Sequence, residues 1–282
     1  MKYSRREFFK LAGISAAFST AAIVSPVSAR GKAIKKVEGV KRLNLSMTSY
    51  TFRKFSLDDA IQMTKRLGLK HIALKSMHMP LDKSPDEIRA IAAKVRRAGL
   101  DLYGAGVIYM KNEQQVNQAF EYAKAAGLKV IIGVPEHEYL ELVNQKVKEY
   151  NIKVAIHNHG PGDKRFPSPQ SVYEKVKNLD KRIGLCIDVG HTQRIQLDPS
   201  EEIKKYADRL YDIHIKDVSA SSKSGKTVEI GRGVIDIPKV LKTLLEIKYT
   251  GKVSLEFEKD ANDPLPGAAE SIGYLRGVLS VI

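Results

Sequence analysis

The sequence contains a single cysteine and shows no division into several domains. Cys186 lies inside an apolar segment, so no intrachain disulfide can stabilise the fold. No linker or low-complexity stretch separates one part of the chain from another. Residues 43–54, which include the first predicted strand, contain no glycine. This absence argues against a doubly wound nucleotide-binding sheet, which needs a glycine-rich phosphate turn after an early strand.

The composition is that of a globular protein with a strongly basic balance. The chain has 282 residues, of which 43% are hydrophobic, and its 47 lysines and arginines against 32 acidic residues give a formal net charge of +15. Such a balance is compatible with nucleic acid, an anionic surface or acidic substrates as partners. The lysines are spread along helix-like segments such as 94–97 and 146–148, without a dense run. We interpret most of them as solvated helix faces.

The first 29 residues have the pattern of a targeting segment. Residues 4–10 read Ser-Arg-Arg-Glu-Phe-Phe-Lys and precede an apolar stretch, 11–24, that is too short and too rich in alanine and serine to span a membrane comfortably. Small residues up to Ala29 suit cleavage. The segment resembles a twin-arginine (Tat) export signal. This resemblance implies export by the twin-arginine machinery, a periplasmic location and one mature domain over residues 30–282.

Apolar strand-like segments alternate with amphipathic helix-like segments over the rest of the chain. Ser56 and Ser84 have the pattern of helix caps, the latter before Pro85. The predicted strands are 43–52, 71–75, 100–108, 130–134, 153–156, 183–188, 211–216 and 253–257, and residues 199–210 are predicted as one helix. Eight alternating pairs imply parallel strands, right-handed crossovers and an α/β fold, a closed (β/α)8 barrel.

Polar side chains emerge at the ends of the last four predicted strands, where a barrel places its catalytic face. These residues are His157, His159, Asp188, His191, His214, Lys216, Glu256 and Glu258. Four converging polar groups without partners would each cost about 1–3 kcal/mol, and a shared cation removes that cost. We predict that His157, Asp188, His214 and Glu256 hold one divalent metal ion, since a mixed nitrogen and oxygen donor set suits Mn²⁺, Co²⁺, Zn²⁺ or Mg²⁺.

Other residues near strand ends are candidates for contacting a substrate. His78 and Lys75 follow the second strand, and we group them with His159, His191 and Glu258 as predicted substrate-binding residues. A set of basic side chains also follows strands. Its members are Arg53, Lys75, Lys164, Arg165, Arg194 and Lys216. They could bind a phosphate or carboxylate of the substrate, and scattered rim charge is the alternative.

Four motifs resemble those of a known family. They are Cys186-Ile-Asp-Val-Gly-His191, His214-Ile-Lys-Asp217, Gly231-Arg-Gly-Val-Ile-Asp236 and Ser254-Leu-Glu-Phe-Glu258. These motifs are similar to the sugar phosphate isomerase/epimerase family, which belongs to the xylose isomerase-like TIM-barrel superfamily. The resemblance implies that Asp188, His214 and Glu256 are metal ligands and that His191 contacts substrate. This chain has His157 where the family has a glutamate, and His157 is then a ligand or a base.

The resemblance implies a divalent-metal-dependent sugar isomerase or epimerase that acts through an enediolate. In this interpretation Glu256 or His157 removes the proton beside a carbonyl, and the metal together with Lys216 stabilises the negative charge. Expulsion of a leaving group from the same intermediate would make the protein a 3-keto-glycoside lyase, which is the alternative. The predicted partner is a small sugar, keto-sugar or glycoside. Whether two barrels associate as a homodimer is left open.

Two other functions receive less support from the sequence. A periplasmic sugar-binding protein without catalysis would need no metal ion. A repair enzyme of the endonuclease IV type would carry three zinc ions and an Asp-x-His pair after the seventh strand. Residues 219–226 contain no histidine, and neither do residues 104–106 at the third strand. We therefore predict that nucleic acid is not a partner.

Overall fold

The structure is a computed structural model that describes residues 43–282, so the predicted export signal lies outside the described residues. Eight parallel strands close into a barrel in the order β1-β8-β7-β6-β5-β4-β3-β2. The strands are β1 (Asn44–Thr48), β2 (His71–Leu74), β3 (Asp101–Met110), β4 (Val130–Pro135), β5 (Lys153–His157), β6 (Ile183–Asp188), β7 (Leu210–Ile215) and β8 (Lys252–Leu255). The predicted (β/α)8 TIM-barrel fold is confirmed.

Helices connect the strands and cover the outside of the barrel. They are α1 (Leu57–Arg66), α2 (Pro85–Arg97), α3 (Glu113–Ala126), α4 (Leu140–Tyr150), α5 (Pro169–Val176), α6 (Val189–Arg194), α7 (Pro199–Lys205), α8 (Ile237–Glu246) and α9 (Leu265–Leu279). Ser56 and Ser84 begin α1 and α2 with capping boxes, as their sequence pattern predicts. Within residues 43–282, no helix combines the length and apolarity that a membrane crossing requires.

The parallel arrangement sets the position of the polar residues. Strands such as β4 are buried on both faces, with Ile131 and Ile132 both inaccessible to solvent. All eight strands run in one direction, so their carboxyl ends meet at one mouth of the barrel. The register pairs Asp188 on β6 with His214 on β7. Side chains that end neighbouring strands are therefore held next to each other by the backbone ladder.

The loop after β7 is organised around one buried carboxylate. Asp217–Val218 pairs with Thr227–Val228 in a short antiparallel hairpin. The Asp217 carboxylate accepts hydrogen bonds from the backbone N–H groups of Gly231 (2.9 Å), Gly233 (3.0 Å) and Ile235 (3.2 Å). A Cβ atom on Gly233 would lie 2.1 Å from Asp217 Oδ1. This close approach explains the glycine, and the three hydrogen bonds hold residues 231–235 against the start of the hairpin.

Candidate functional site

Four buried side chains from β5, β6, β7 and the end of β8 converge at the mouth of the barrel. His157, Asp188, His214 and Glu256 each offer one ligand atom, and these atoms lie within 4.8 Å of one another. His157 Nε2 is 3.1 Å from His214 Nδ1 and 3.4 Å from Asp188 Oδ2. Glu256 Oε2 is 3.4 Å from His214 Nδ1. Ligands about 2.0–2.2 Å from a common ion stand at such separations, so the cluster fits one divalent cation.

The Asp188 carboxylate is held in place by the start of α6. Its Oδ1 accepts a hydrogen bond from the His191 N–H at 2.7 Å, as a helix cap, which leaves Oδ2 directed at the cluster. The Asp188 N–H donates to Asn158 Oδ1 at 3.0 Å, and the Thr192 hydroxyl donates to the Asp188 carbonyl at 2.7 Å. Asn158 is not among the site residues predicted from the sequence, although it stands between His157 and His159.

Several polar atoms of the cluster have no hydrogen-bond partner within residues 43–282. They are His157 Nδ1 and His214 Nε2, together with Asp188 Oδ2, which has an ion pair with Lys216 at 3.0 Å and no hydrogen bond. A buried polar group left in this state costs about 1–3 kcal/mol. Neutral imidazole and carboxylate donors of this kind suit Mn²⁺, Co²⁺ or Zn²⁺. The Asp188 oxygen that faces the cluster and the donor set together support the predicted metal ion, without selecting one metal.

Lys216 places a buried positive charge beside the cluster. Its Nζ lies 3.0 Å from Asp188 Oδ2 and donates hydrogen bonds to Glu256 Oε2 at 2.7 Å and Glu258 Oε1 at 2.6 Å. Burial by itself would lower the pKa of the Lys216 ammonium, but the three carboxylates outweigh burial and raise it well above its ordinary value. Lys216 is therefore charged at neutral pH, and it contacts two of the carboxylates that face the cation position.

The charges of the neighbouring groups prepare the donors for a cation. Burial acts to raise the pKa of Asp188 and of Glu256, yet Lys216 and the adjacent imidazoles hold both pKa values well below the usual range. Burial lowers the pKa of His157 far below its usual value. Burial acts to lower the pKa of His214, but Glu256, Asp212 and Asp188 together outweigh burial and raise it. Three of the four donors are thus already in the deprotonated form that a metal ion needs.

Imidazoles and one tyrosine line the rim above the cluster. The rings of His157 and His159 have centroids 4.5 Å apart, and His191 Nε2 lies 4.0 Å from Asp188 Oδ2. The Tyr109 hydroxyl is 3.1 Å from His159 Nε2, and the Tyr109 side chain is 40% exposed. Tyr109 is not among the site residues predicted from the sequence, and its position near the end of β3 is the one signal that could have identified it. His159 and His191 lie at this rim, and substrate contact stays the prediction for both.

Lys75 lies at the same mouth, whereas His78 serves as a buried anchor. Lys75 Nζ is 5.0 Å from the centre of the Tyr50 ring, and burial lowers the pKa of Lys75 while Glu256 acts to raise it. Both ring nitrogens of His78 are already bonded, to Ser49 Oγ at 2.9 Å and to the Phe55 carbonyl at 3.1 Å. A substrate contact by His78 would break one of these bonds, so the structure does not support that prediction.

Several of the basic side chains grouped by sequence have structural partners. Arg165 Nε donates to Glu136 at 2.5 Å, and Arg194 donates to the Lys223 carbonyl at 2.8 Å. Arg53 donates to the Glu258 carbonyl at 2.6 Å. These contacts position the loops around the mouth. These three contacts favour the alternative of separate rim charges over one shared site for a phosphate or carboxylate.

The metal-free protein should lose stability as the pH falls from 6.5 towards 4. Burial, followed by the charge of His191, lowers the pKa of His159 from 6.5 to about 4. The unfolded chain then binds a proton in this range that the folded chain does not, so His159 stabilises the fold above pH 6.5 and loses that contribution on acidification. The size is about 3 kcal/mol. Urea unfolding at several pH values in EDTA measures it.

The variant His159→Gln isolates the contribution of this residue. It removes the titrating group, so the stability lost between pH 6.5 and 4 should shrink by the amount assigned to His159. An unchanged pH dependence in the variant would show that the proton is taken up elsewhere.

This chain matches several curated proteins, and each match covers only part of both sequences. An inosose dehydratase of Lacticaseibacillus casei is 24% identical over 159 residues, which are 50% of this chain and 53% of that protein. The chain spans about half the length of the curated relatives it matches first. The likeness is therefore to part of those proteins.

Solved structures of low sequence identity share the fold. A D-tagatose 3-epimerase-like protein aligns with a TM-score of 0.69 and 19% identity, covering 85% of this chain and 98% of the other. A 3-keto-D-glucoside 4-epimerase from E. coli aligns with a TM-score of 0.67 and 14% identity, covering 84% and 100%. At these identities the likeness concerns the fold alone. The family model for the xylose isomerase-like TIM barrel matches residues 51–278, so the chain belongs to the xylose isomerase-like TIM-barrel family.

Proposed function

We propose that this protein is a divalent-cation-dependent enzyme that removes a proton next to the carbonyl group of a sugar or keto-sugar. The proposal depends on one observation, the convergence of four buried donors beside a buried ammonium group. A cation bound there would polarise a substrate carbonyl as a Lewis acid. The family and its sugar-modifying members support the substrate class.

The residues around the cation position supply the remaining chemistry. Glu256 is ionised and can accept a proton, and neutral His157 is the second candidate for the base. The Lys216 ammonium provides a fixed positive charge where negative charge develops on the substrate oxygen. The rim side chains of His159 and His191 orient substrate hydroxyls. The position of these side chains at the barrel mouth supports the roles proposed for them.

The same proton removal leads to two outcomes. Return of a proton to a neighbouring atom, or to the other face, gives isomerisation or epimerisation. Loss of a leaving group gives elimination, as in a 3-keto-glycoside lyase. The similarity to an inosose dehydratase favours this second outcome, since a dehydratase eliminates water. Isomerase or epimerase activity remains the first candidate because the family motifs around Asp188, His214 and Glu256 carry it.

Proton exchange in heavy water tests the proposal. The metal-loaded protein should exchange the proton beside the carbonyl of a candidate keto-sugar or 3-keto-glycoside, as followed by NMR. Chelation of the metal should stop the exchange, and Mn²⁺ should restore it. A new sugar isomer would identify isomerisation, and a released leaving group would identify elimination. Binding of the sugar without exchange in any metal-loaded sample would instead support a sugar-binding protein.

We also propose that the chain is exported to the periplasm. The support is the Ser-Arg-Arg-Glu-Phe-Phe-Lys pattern at residues 4–10, outside the described residues. Cell fractionation of the wild type and of a variant with Arg5→Lys and Arg6→Lys tests this. Equal export of both would contradict recognition of the arginine pair.

A further inference from the structure

The only cysteine of the chain lies directly beneath the cation cluster. Cys186 Sγ and one nitrogen from each of His157 and His214 lie within 4.8 Å of one another. Cys186 precedes Asp188 by two residues on β6, so both side chains point into the barrel, with Cys186 one layer deeper. The strand register places Cys186 next to His157 on β5. The thiol is fully buried.

The two imidazoles have nitrogen atoms that nothing in residues 43–282 uses. His157 Nδ1 and His214 Nε2 are buried without hydrogen-bond partners, and each side chain is almost inaccessible to solvent. These are independent signs of a missing ligand, beyond the presence of a cysteine. The same two imidazoles belong to both groups of candidate ligands, one completed by the carboxylates of Asp188 and Glu256 and the other by the thiol of Cys186.

We propose that Cys186, His157 and His214 form a second, deeper cation site that is selective for thiophilic divalent ions such as Cd²⁺ and Zn²⁺. Sulfur and imidazole donors prefer soft or borderline ions, whereas the carboxylate layer suits Mn²⁺ and Mg²⁺. Binding in the deeper site forms a metal–sulfur bond, and the thiol proton passes to solvent. The ion keeps its charge, so no oxidant or reductant is required.

The deeper site shares both imidazole rings with the upper one, so a cation in one site weakens binding in the other. His157 Nε2 and His214 Nδ1, which are 3.1 Å apart, face the carboxylates, and His157 Nδ1 and His214 Nε2 are the nitrogens without partners in residues 43–282. A thiophilic ion bound to both rings makes them poorer donors for the upper site and repels a second cation. Such an ion would then lower the affinity of the upper site for Mn²⁺. This inference concerns metal binding and goes beyond the proposed catalytic function.

Cadmium titration of the full chain tests the deeper site. Cadmium bound to thiolate absorbs in the ultraviolet, and the chain has one cysteine, so the absorption has a single possible source. The wild type should bind one Cd²⁺ with this absorption, and one equivalent should weaken Mn²⁺ binding at least about tenfold. Cys186→Ser should lose the absorption and keep its Mn²⁺ affinity within about threefold.

A variant of the upper layer provides the complementary measurement. Glu256→Gln should weaken Mn²⁺ binding about 100-fold. The cadmium–thiolate absorption should still appear, with the Cd²⁺ concentration at its midpoint changed by less than about threefold. Stoichiometric Cd²⁺ binding without thiolate absorption would overturn the proposal, and so would a Mn²⁺ affinity that is unchanged after one equivalent of Cd²⁺ has bound. The wild type and Glu256→Gln decide the question even if Cys186→Ser fails to fold. Failure of the catalytic proposal would appear as absent proton exchange and would leave these readouts unchanged.

Discussion

Replacing Glu256 by glutamine should lower proton exchange from a keto-sugar by roughly 10²–10⁴-fold. The amide has almost the same shape as the carboxylate, but it cannot accept a proton and offers the cation no negative charge. Glu256 Oε2 belongs to the buried cluster and also contacts Lys216 at 2.7 Å. The substitution therefore removes the base or a ligand, whichever role Glu256 has. Exchange in heavy water, followed by NMR at saturating Mn²⁺, gives the rate.

Glu258→Gln is the matched control for this variant. Glu258 contacts the same ammonium group at 2.6 Å, but its side chain is 35% exposed and it lies outside the four-residue cluster. We expect the rate of proton exchange to fall less than about tenfold, because the variant removes only one of the three carboxylate partners of Lys216, at a partly exposed position. Equal losses in both variants would mean that Glu256 acts only through Lys216. Full exchange in Glu256→Gln would contradict its assignment as ligand and as base.

The end of a strand was predicted accurately where a polar residue stops the apolar run, and less accurately where apolar residues continue beyond it. Strand 183–188 has the predicted bounds, since its apolar run stops at an aspartate that caps the next helix. The first strand was predicted to reach residue 52 but ends at Thr48, and Ser49–Phe52 forms a 3-10 turn. Phe52 is fully buried in that turn. Buried apolar residues that follow a strand continue its hydrophobic sequence pattern, although they form no further hydrogen bonds with the neighbouring strands.

Helix prediction was less accurate after the sixth strand. Residues 199–210 were predicted as one helix, but the structure has α7 up to Lys205, a separate 3-10 turn at Ala207–Arg209 and then β7. The prediction also had no counterpart for α6, which has only six residues. A helix this short carries too few turns for an apolar stripe. Its cap, Asp188, was recognised as a possible metal ligand and not as a helix start.

The sequence predicted which side chains reach the barrel mouth and left their contacts undetermined. His157, Asp188, His214 and Glu256 were grouped because each ends a strand, and the structure brings them together. The sequence could not show that Lys216 bridges two of these carboxylates, because that contact depends on side-chain conformation. Tyr109 was missed for a related reason. One polar tip at the end of an apolar strand is common, and only its distance to His159 distinguishes it.

Replacing Lys216 by methionine should destabilise the metal-free protein by about 3–5 kcal/mol. Methionine keeps much of the length of the side chain, which packs against Gly190, and removes the ammonium group. Asp188 and Glu256 would then be buried without the charge that now lies 3.0 and 2.7 Å from their oxygens. The free energy of unfolding in urea, measured in the presence of EDTA, reports this loss.

A bound cation should offset much of the loss, and this result separates an electrostatic effect from a packing defect. Mn²⁺ supplies positive charge to the same carboxylates, so the difference between Lys216→Met and the wild type should shrink at saturating metal. The variant should also bind Mn²⁺ more tightly, since no ammonium group repels the ion. Lys239→Met removes an exposed lysine that contacts Asp198 and Glu201, and it should have a much smaller effect. A loss in Lys216→Met that is the same with and without metal would show that the ammonium group and the cation do not act on the same carboxylates.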